Sequence, residues 1–386
     1  MKVMPPIVSW QPVLTDHQSH TLRALANAAS VPLTVMIARR EDPTRKAQGW
    51  SEANTTGLDV RLLDHDSGLE DIVRTLREHR HSVHLFGSPF DNPRFMIALG
   101  IAIWSGLQVY LISEPYSTIA AGYLHDRGRT MAWLKSKLRP WLYRLYGMVL
   151  KRNVRGVFAI APLATAQYRA IGIPASKIHP FGYFVPQVQG ALPDGGGEVA
   201  ASGCRAAFVG NLIATKGLPE LTDAARHLRE ASVDLQIDVY GAGDPAVFGF
   251  DNQVIRYAGR IPFGQSQSVI AGYDFLVLPS RYDGWGVVVN EAVLAGVPVV
   301  CSDRVGAGAF VRRWGCGLVY ASDAPGGLER ALLTLATDTA LRQQMRQACR
   351  DARHLLDPAV AGRYLADVIS APARGVSAPA NPWYDN

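Results

Sequence analysis

Short apolar runs alternate with stretches of helical periodicity along most of this chain. Residues 7–11, 33–38, 60–63, 83–86 and 108–112 read as strands. Between them, 21–29 places Leu22, Leu25 and Ala29 at helical spacing, and 69–80 and 92–105 also read as helices. Residues 156–160, 164–170 and 177–181 continue as strand, helix, strand. This alternation predicts a parallel sheet flanked by helices. In such a sheet, ligands gather beyond the carboxyl ends of the strands. His17, Gln18, Gly87, Ser88, Ser113 and Glu114 lie on that edge.

A segment rich in Gly, Pro and Ala follows, including Gly195, Gly196 and Gly197, and reads as a linker. The pattern then resumes. Residues 206–210, 235–240 and 254–258 are predicted strands, 218–231 a helix, and 263–273 mostly helix. The densest stretch runs from Leu276 to Val300. An apolar strand ends at Pro279; Asp283-Gly-Trp-Gly286 forms a tight loop; Val287 to Leu294 is a helix; Gly296-Val-Pro298 ends it before another strand. The free N–H groups at such a helix start, together with the helix dipole, favour an anion. Asp283 and Glu291 flank the site with seven residues between them. Further helices are expected at 328–335, 339–356 and 361–369.

An acid, seven residues and Glu, after Pro-Ser and before Ala-x-x-x-Gly-x-Pro-Val, resembles the donor signature of retaining GT-B glycosyltransferases, family 4 in particular. The resemblance covers about 206–332 and is weaker elsewhere. It implies two Rossmann-like parallel-sheet α/β domains facing a central cleft, with a C-terminal helix returning to the N-terminal domain. The expected division is 1–186 for the acceptor-binding domain, 187–203 for the linker and 204–356 for the nucleotide-sugar domain. Residues 357–370 would be the returning helix and 371–386 a loose tail.

The resemblance also implies roles for individual residues. Phe208-Val-Gly210-Asn211, leading to Lys216-Gly217, resembles the family's Gly-Arg-Leu…Lys-Gly segment. Lys216 would meet the donor diphosphate. Asn211 stands where the family has Arg, so Arg281 or Arg260 is a candidate for the missing charge. Gly284, Trp285, Gly286 and Val287 would offer backbone N–H groups, with the Trp285 ring adding bulk near the phosphates. Asp283, in place of the usual Glu, would bind a sugar hydroxyl, and Glu291 the ribose hydroxyls. Arg260 and Ile261 match the nucleobase loop, and Gly241 belongs to a glycine loop near the donor. Tyr240-Gly-Ala-Gly-Asp-Pro-Ala246 also fits a loose dinucleotide fingerprint, but Pro245 removes a donor there and no acid ends a second strand. On the acceptor side the family often has a His where this chain has Ser113-Glu114-Pro115. Glu114, His17 and His125 are the alternatives. The catalytic candidates are thus Asp283, Lys216, His17 and Glu114.

Composition narrows the setting. Residues 1–186 hold 22 Lys/Arg against 13 Asp/Glu, and the remainder 17 against 20, within an overall charge of +6. The basic surface therefore belongs to the first half. Residues 127–155 hold nine Lys/Arg and no acid. Arg129, Lys135, Lys137 and Arg144 are interleaved there with Trp133 and Trp141, and an apolar stripe of Leu134, Leu138, Trp141, Leu142 and Leu145 runs past a kink expected at Pro140. Basic residues beside aromatic anchors suit an anionic membrane surface. No nucleic-acid module accompanies them. Four cysteines lack metal or disulfide spacing. His79, His81 and His84 straddle a helix end and a strand start, and Asp64-His-Asp66 lies in the wrong half for a metal-binding pair. No metal and no cofactor beyond the donor are expected. With no apolar signal core and no run long enough to span a bilayer, the expected place is the cytoplasm, peripheral on the inner membrane. The partners expected are a nucleotide-diphosphate sugar and a lipid-linked glycan acceptor of bacterial surface polysaccharide assembly. The rival readings are an epimerase or hydrolase of nucleotide sugars on the same fold, and an NAD(P)-dependent oxidoreductase.

Overall fold

The computed structural model describes residues 4–41, 53–63, 68–88, 90, 92–120, 129–188 and 203–385. The Asp64–Asp66 pair, His125 and most of the expected linker fall outside them.

The first sheet contains β1 (Ile7–Gln11), β2 (Leu33–Ile37), β3 (Asp59–Leu62), β4 (Val83–Gly87), β5 (Gln108–Ser113), β6 (Gly156–Ile160) and β7 (Ile178–Phe181). All pair in parallel, in the order β3-β2-β1-β4-β5-β6-β7. Its connecting helices are α1 (Asp16–Ala29), α2 (Leu69–Glu78), α3 (Pro93–Trp104), α4 (Arg129–Asn153) and α5 (Ala161–Ala170). The strands show why the sheet is covered on both faces. Val35 and Leu85 join one apolar cluster, while Met36 and Phe86, one residue along, join a second. Alternate side chains point to opposite faces, so both sides demand helices.

The second sheet contains β8 (Cys204–Val209), β9 (Leu235–Tyr240), β10 (Ile255–Gly259), β11 (Phe275–Leu278), β12 (Val299–Ser302) and β13 (Gly317–Tyr320). It is also parallel, in the order β10-β9-β8-β11-β12-β13. Its helices are α6 (Leu218–Glu230), α7 (Ser266–Ile270), α8 (Val287–Leu294), α9 (Gly308–Trp314), α10 (Gly327–Thr337) and α11 (Thr339–Ala352). Strand order reverses beside β1 and β4 in the first sheet and beside β8 and β11 in the second. Crevices open at such switch points.

The chain then returns. Helix α12 (Pro358–Arg374) packs against α1. This is the expected crossing of the last helix to the first domain, and the two Rossmann-like α/β domains make the fold GT-B.

Two expectations need correction. Helix α7 is only five residues, because Pro262 and Gly264 (φ +80°) hold the chain out of helix before it and Gly272 follows it. The tail at 371–386 is not loose through its described length. Helix α12 extends to Arg374, and Trp383 and Tyr384 beyond it are buried. The Trp383 indole N–H donates to Leu355 O at 2.7 Å. The Tyr384 hydroxyl accepts from Phe181 N (3.0 Å) and donates to Phe181 O (2.7 Å). Phe181 is on β7, an edge strand whose backbone groups need partners. The tail supplies them.

Candidate active site

The carboxyl edge of the second sheet assembles the expected donor residues. Lys216 lies in the turn after β8, and Asp283 in the loop after β11. They meet: Lys216 Nζ donates to Asp283 Oδ2 at 2.5 Å, with both side chains mostly buried. The backbone holds this meeting in place. Arg281 N donates to Thr215 O at 2.8 Å, so the two loops are stitched together. Gly217 has φ +73°, and a β-carbon there would come within 2.0 Å of Pro279 O. Only glycine lets the Lys216 turn sit so close to the end of β11.

The Asp283 loop is fixed from its other side by the segment after β12, which the sequence did not single out. Asp283 N donates to Arg304 O (3.0 Å), Gly306 N to Asp283 O (3.1 Å) and Ala307 N to Trp285 O (2.8 Å). Gly286, at φ +87°, precedes α8 with no side-chain cap. The first N–H groups of α8, beginning at Val287, thus have no capping side chain to satisfy them.

Trp285 differs from expectation. Its ring adds no bulk beside the loop mouth; it is 1% exposed. The indole N–H donates to Asn290 Oδ1 at 3.0 Å, and the ring packs near Phe184 and Tyr384. The largest apolar side chain of the loop turns inward because burial of an indole is strongly favourable when its N–H finds a partner.

Glu291 lies on α8 and accepts from Ser266 Oγ at 2.5 Å. Burial pushes its carboxyl up to about 7, against the smaller opposing pull of the Ser266 hydrogen bond. Gly210 and Gly241 lie at the ends of β8 and β9, with Gly210 N donating to Tyr240 O at 2.9 Å. Asn211 follows Gly210, while Arg260 and Ile261 follow β10, Arg260 exposed and Ile261 partly buried. Arg281 is engaged by Glu220 at 2.5 Å.

Across the cleft stands Glu114, at the end of β5. A β-carbon on Gly284 would fall 2.5 Å from Glu114 Oε2, so the two domains nearly touch here. Tyr282 also donates its hydroxyl to Pro115 O. Glu114 Oε1 accepts from the Tyr183 hydroxyl at 2.5 Å. The His17 ring lies 4.2 Å from the Tyr183 ring and its Nε2 is 3.0 Å from Thr15 Oγ1. Tyr183 O in turn accepts from Asn290 Nδ2 at 2.7 Å. Tyr183 thus links Glu114 and His17 to helix α8 and Trp285. Nothing in the sequence pointed to Tyr183, which sits in an aperiodic stretch between the sheets.

Of the three histidines at 79, 81 and 84, the His84 ring is held by other groups. His84 is buried, accepts from Trp10 Nε1 (3.2 Å) and donates to His79 O (3.0 Å), and burial lowers its pKa to about 4. Among the described residues no group of His, Cys, Asp and Glu could hold a metal ion.

Helix α4 carries the expected basic aromatic face. Trp133 (58% exposed), Leu134, Leu138 and Trp141 all point to solvent, as does Met148. Lys137 and Arg144 are exposed beside them and Lys135 is partly so, while Arg129 begins the helix. The buried side of the helix is instead Ala132, Ser136, Tyr143 and Leu150. No described helix is long and apolar enough to cross a membrane.

Comparison with known proteins agrees with this architecture. Residues 203–338 match the family described as Glycosyl transferases group 1. The chain is 27% identical over 150 residues to glycogen synthase of Mycobacterium tuberculosis, covering 37% of this chain and 36% of that enzyme. It is 26% identical over 251 residues to phosphatidyl-myo-inositol mannosyltransferase of Mycobacterium leprae, covering 63% and 64%. The matches thus span about a third to two thirds of these relatives. The structure is similar to that of Anabaena Alr3699/HepE in complex with UDP and glucose, with a TM-score of 0.66, 13% identity and coverage of 95% and 99%. The chain is thus a GT-B-fold protein related, through residues 203–338, to the group 1 glycosyltransferases.

Proposed function

We propose that this protein is a retaining glycosyltransferase that moves a sugar from a nucleotide-diphosphate donor to a lipid-linked glycan in bacterial surface polysaccharide assembly. The carrying observation is the Lys216–Asp283 pair at the switch point of the matched domain, opposed across the cleft by Glu114. In this reading Lys216 and the N–H groups of Gly284, Trp285, Gly286 and Val287 hold the diphosphate as charge builds on it. Gly210, Asn211 and Gly241 let the donor approach the strand ends, and Arg260 and Ile261 border the base. Asp283 orients the sugar, and Glu291 accepts from the ribose hydroxyls. Glu114 and His17 face the acceptor. The acceptor hydroxyl attacks the face that the diphosphate leaves, and a departing phosphate oxygen takes its proton. The protein then supplies position and charge, and no separate base or metal is called upon.

The outward face of α4 supports a membrane-borne acceptor. Exposed Trp133 and Trp141 with Lys135, Lys137, Arg144 and Arg129 would rest on the anionic cytoplasmic face of the inner membrane. The relative from M. leprae is named for a phosphatidyl acceptor, which fits the same reading. A melting panel of UDP-, GDP-, TDP- and ADP-sugars tests the donor half: one should raise the melting temperature by binding the native state. No shift from any member contradicts it.

A further inference from the structure

A cavity of 310 Å³ opens at the carboxyl edge of the first sheet. Its walls come from the segments that follow β1, β2, β4, β5 and β7, and those after β1 and β4 flank that sheet's switch point. The charged side chains lining it are Arg39, Arg139 and Glu114. Glu114 is turned to one end, with Oε1 on the Tyr183 hydroxyl and Oε2 toward Gly284 of the other domain. The rest of the lining charge is guanidinium. Arg139 comes from α4, four residues before Tyr143, which also lines the cavity. Residues four apart share a helix face. Leu134, Leu138 and Trp141 occupy another face of the same helix, exposed to solvent. One helix therefore presents an apolar, basic surface outward and delivers a guanidinium inward.

We infer that this cavity binds a phosphate group of the acceptor, held by Arg39 and Arg139. A guanidinium offers a planar fork of donors that matches phosphate oxygens, which a carboxylate-lined or neutral pocket does not. The inference rests on the transferase reading above and narrows the acceptor to a phosphate ester. Glu114 and Gly284 mark the end of the cavity nearest the donor loop, where the acceptor hydroxyl would enter. Two sources share this chemistry: a prenyl phosphate carried in the membrane, and a soluble sugar phosphate.

The test is calorimetric titration of the full chain with a monomeric ten-carbon prenyl phosphate, glucose 1-phosphate and the ten-carbon prenyl alcohol. Lys216→Ala, with the donor diphosphate site weakened, should bind the phosphate ester as the wild type does. Arg39→Gln/Arg139→Gln should bind it at least tenfold more weakly, and Arg39→Lys/Arg139→Lys should recover part of the loss. The alcohol should not bind. Tighter binding of prenyl phosphate than of glucose 1-phosphate assigns the lipid source, and the reverse order the soluble one. An unchanged melting temperature in the glutamine variant shows that folding is intact; if it falls, the lysine variant decides. Absence of phosphate binding by the wild type, undiminished binding by the glutamine variant, or loss in Lys216→Ala overturns the inference. A melting panel with no response to any nucleotide sugar would sink the transferase reading while leaving this titration interpretable.

Discussion

Glu291 carries the most informative charge in the proposed donor site. Its folded pKa of about 7 lies above the ordinary value of 4.5 because the carboxylate is buried. Between pH 4.5 and about 7 the unfolded chain has already released this proton while the folded one keeps it. Stability from this group therefore falls as pH rises through that window and levels off above it, by an amount on the order of 3 kcal/mol. Binding should behave oppositely. Only the ionised carboxylate accepts from two ribose hydroxyls, so nucleotide affinity should rise as pH climbs through about 7. Glu291→Gln should flatten the affinity profile measured by calorimetry between pH 5.5 and 8.5 and weaken binding at the top of it. A profile unchanged by the substitution contradicts the assignment. Residues of this kind were legible because ordered spacing names them: Asp283, Glu291 and Lys216 stand in a fixed motif. Tyr183 was not legible, since its role arises from neighbours brought from β5, α1 and α8.

At the scale of elements, the strands announced themselves through short apolar runs bounded by Gly and Pro. The elements missed were β13 and α9, both short, with β13 only partly buried and so weakly patterned. Helix α4 shows the opposite problem. Its apolar stripe was visible, but periodicity does not say which face meets the core. The structure turns Leu134, Leu138 and Trp141 outward. Trp133→Ser/Trp141→Ser should reduce flotation with anionic vesicles several-fold while leaving nucleotide binding unchanged. Equal binding to neutral and anionic vesicles, or none, contradicts membrane contact. The C-terminal tail was misread because a stretch without periodicity looks unstructured. Two aromatic residues suffice to pin it. Trp383→Ala should cost about 3–5 kcal/mol in denaturant unfolding. It should also weaken nucleotide binding, since Tyr384 packs on Trp285 at the donor loop. Unfolding at the wild-type midpoint would show the tail to be dispensable.

For the whole molecule, two parallel sheets place their carboxyl edges toward each other, and in the proposed reaction each would contribute one half. The second domain holds ordered motif residues; the first holds a cavity whose lining is spread over five strand ends and two helices. That distribution explains why the proposed donor residues stand out in the sequence as motifs and the cavity-lining residues do not. A diphosphate needs a compact cradle of backbone N–H groups and a cation, which one βαβ unit supplies. An acceptor site needs only shape and charge from wherever the fold brings them. The central claim is that Lys216, which pairs with Asp283, grips the donor diphosphate. Calorimetric affinity for the nucleotide sugar selected by the melting panel tests it most directly, in the wild type, Lys216→Ala and Glu291→Ala. Binding at least tenfold weaker in both variants, with melting temperatures retained, is the predicted result; wild-type affinity in both would contradict the account.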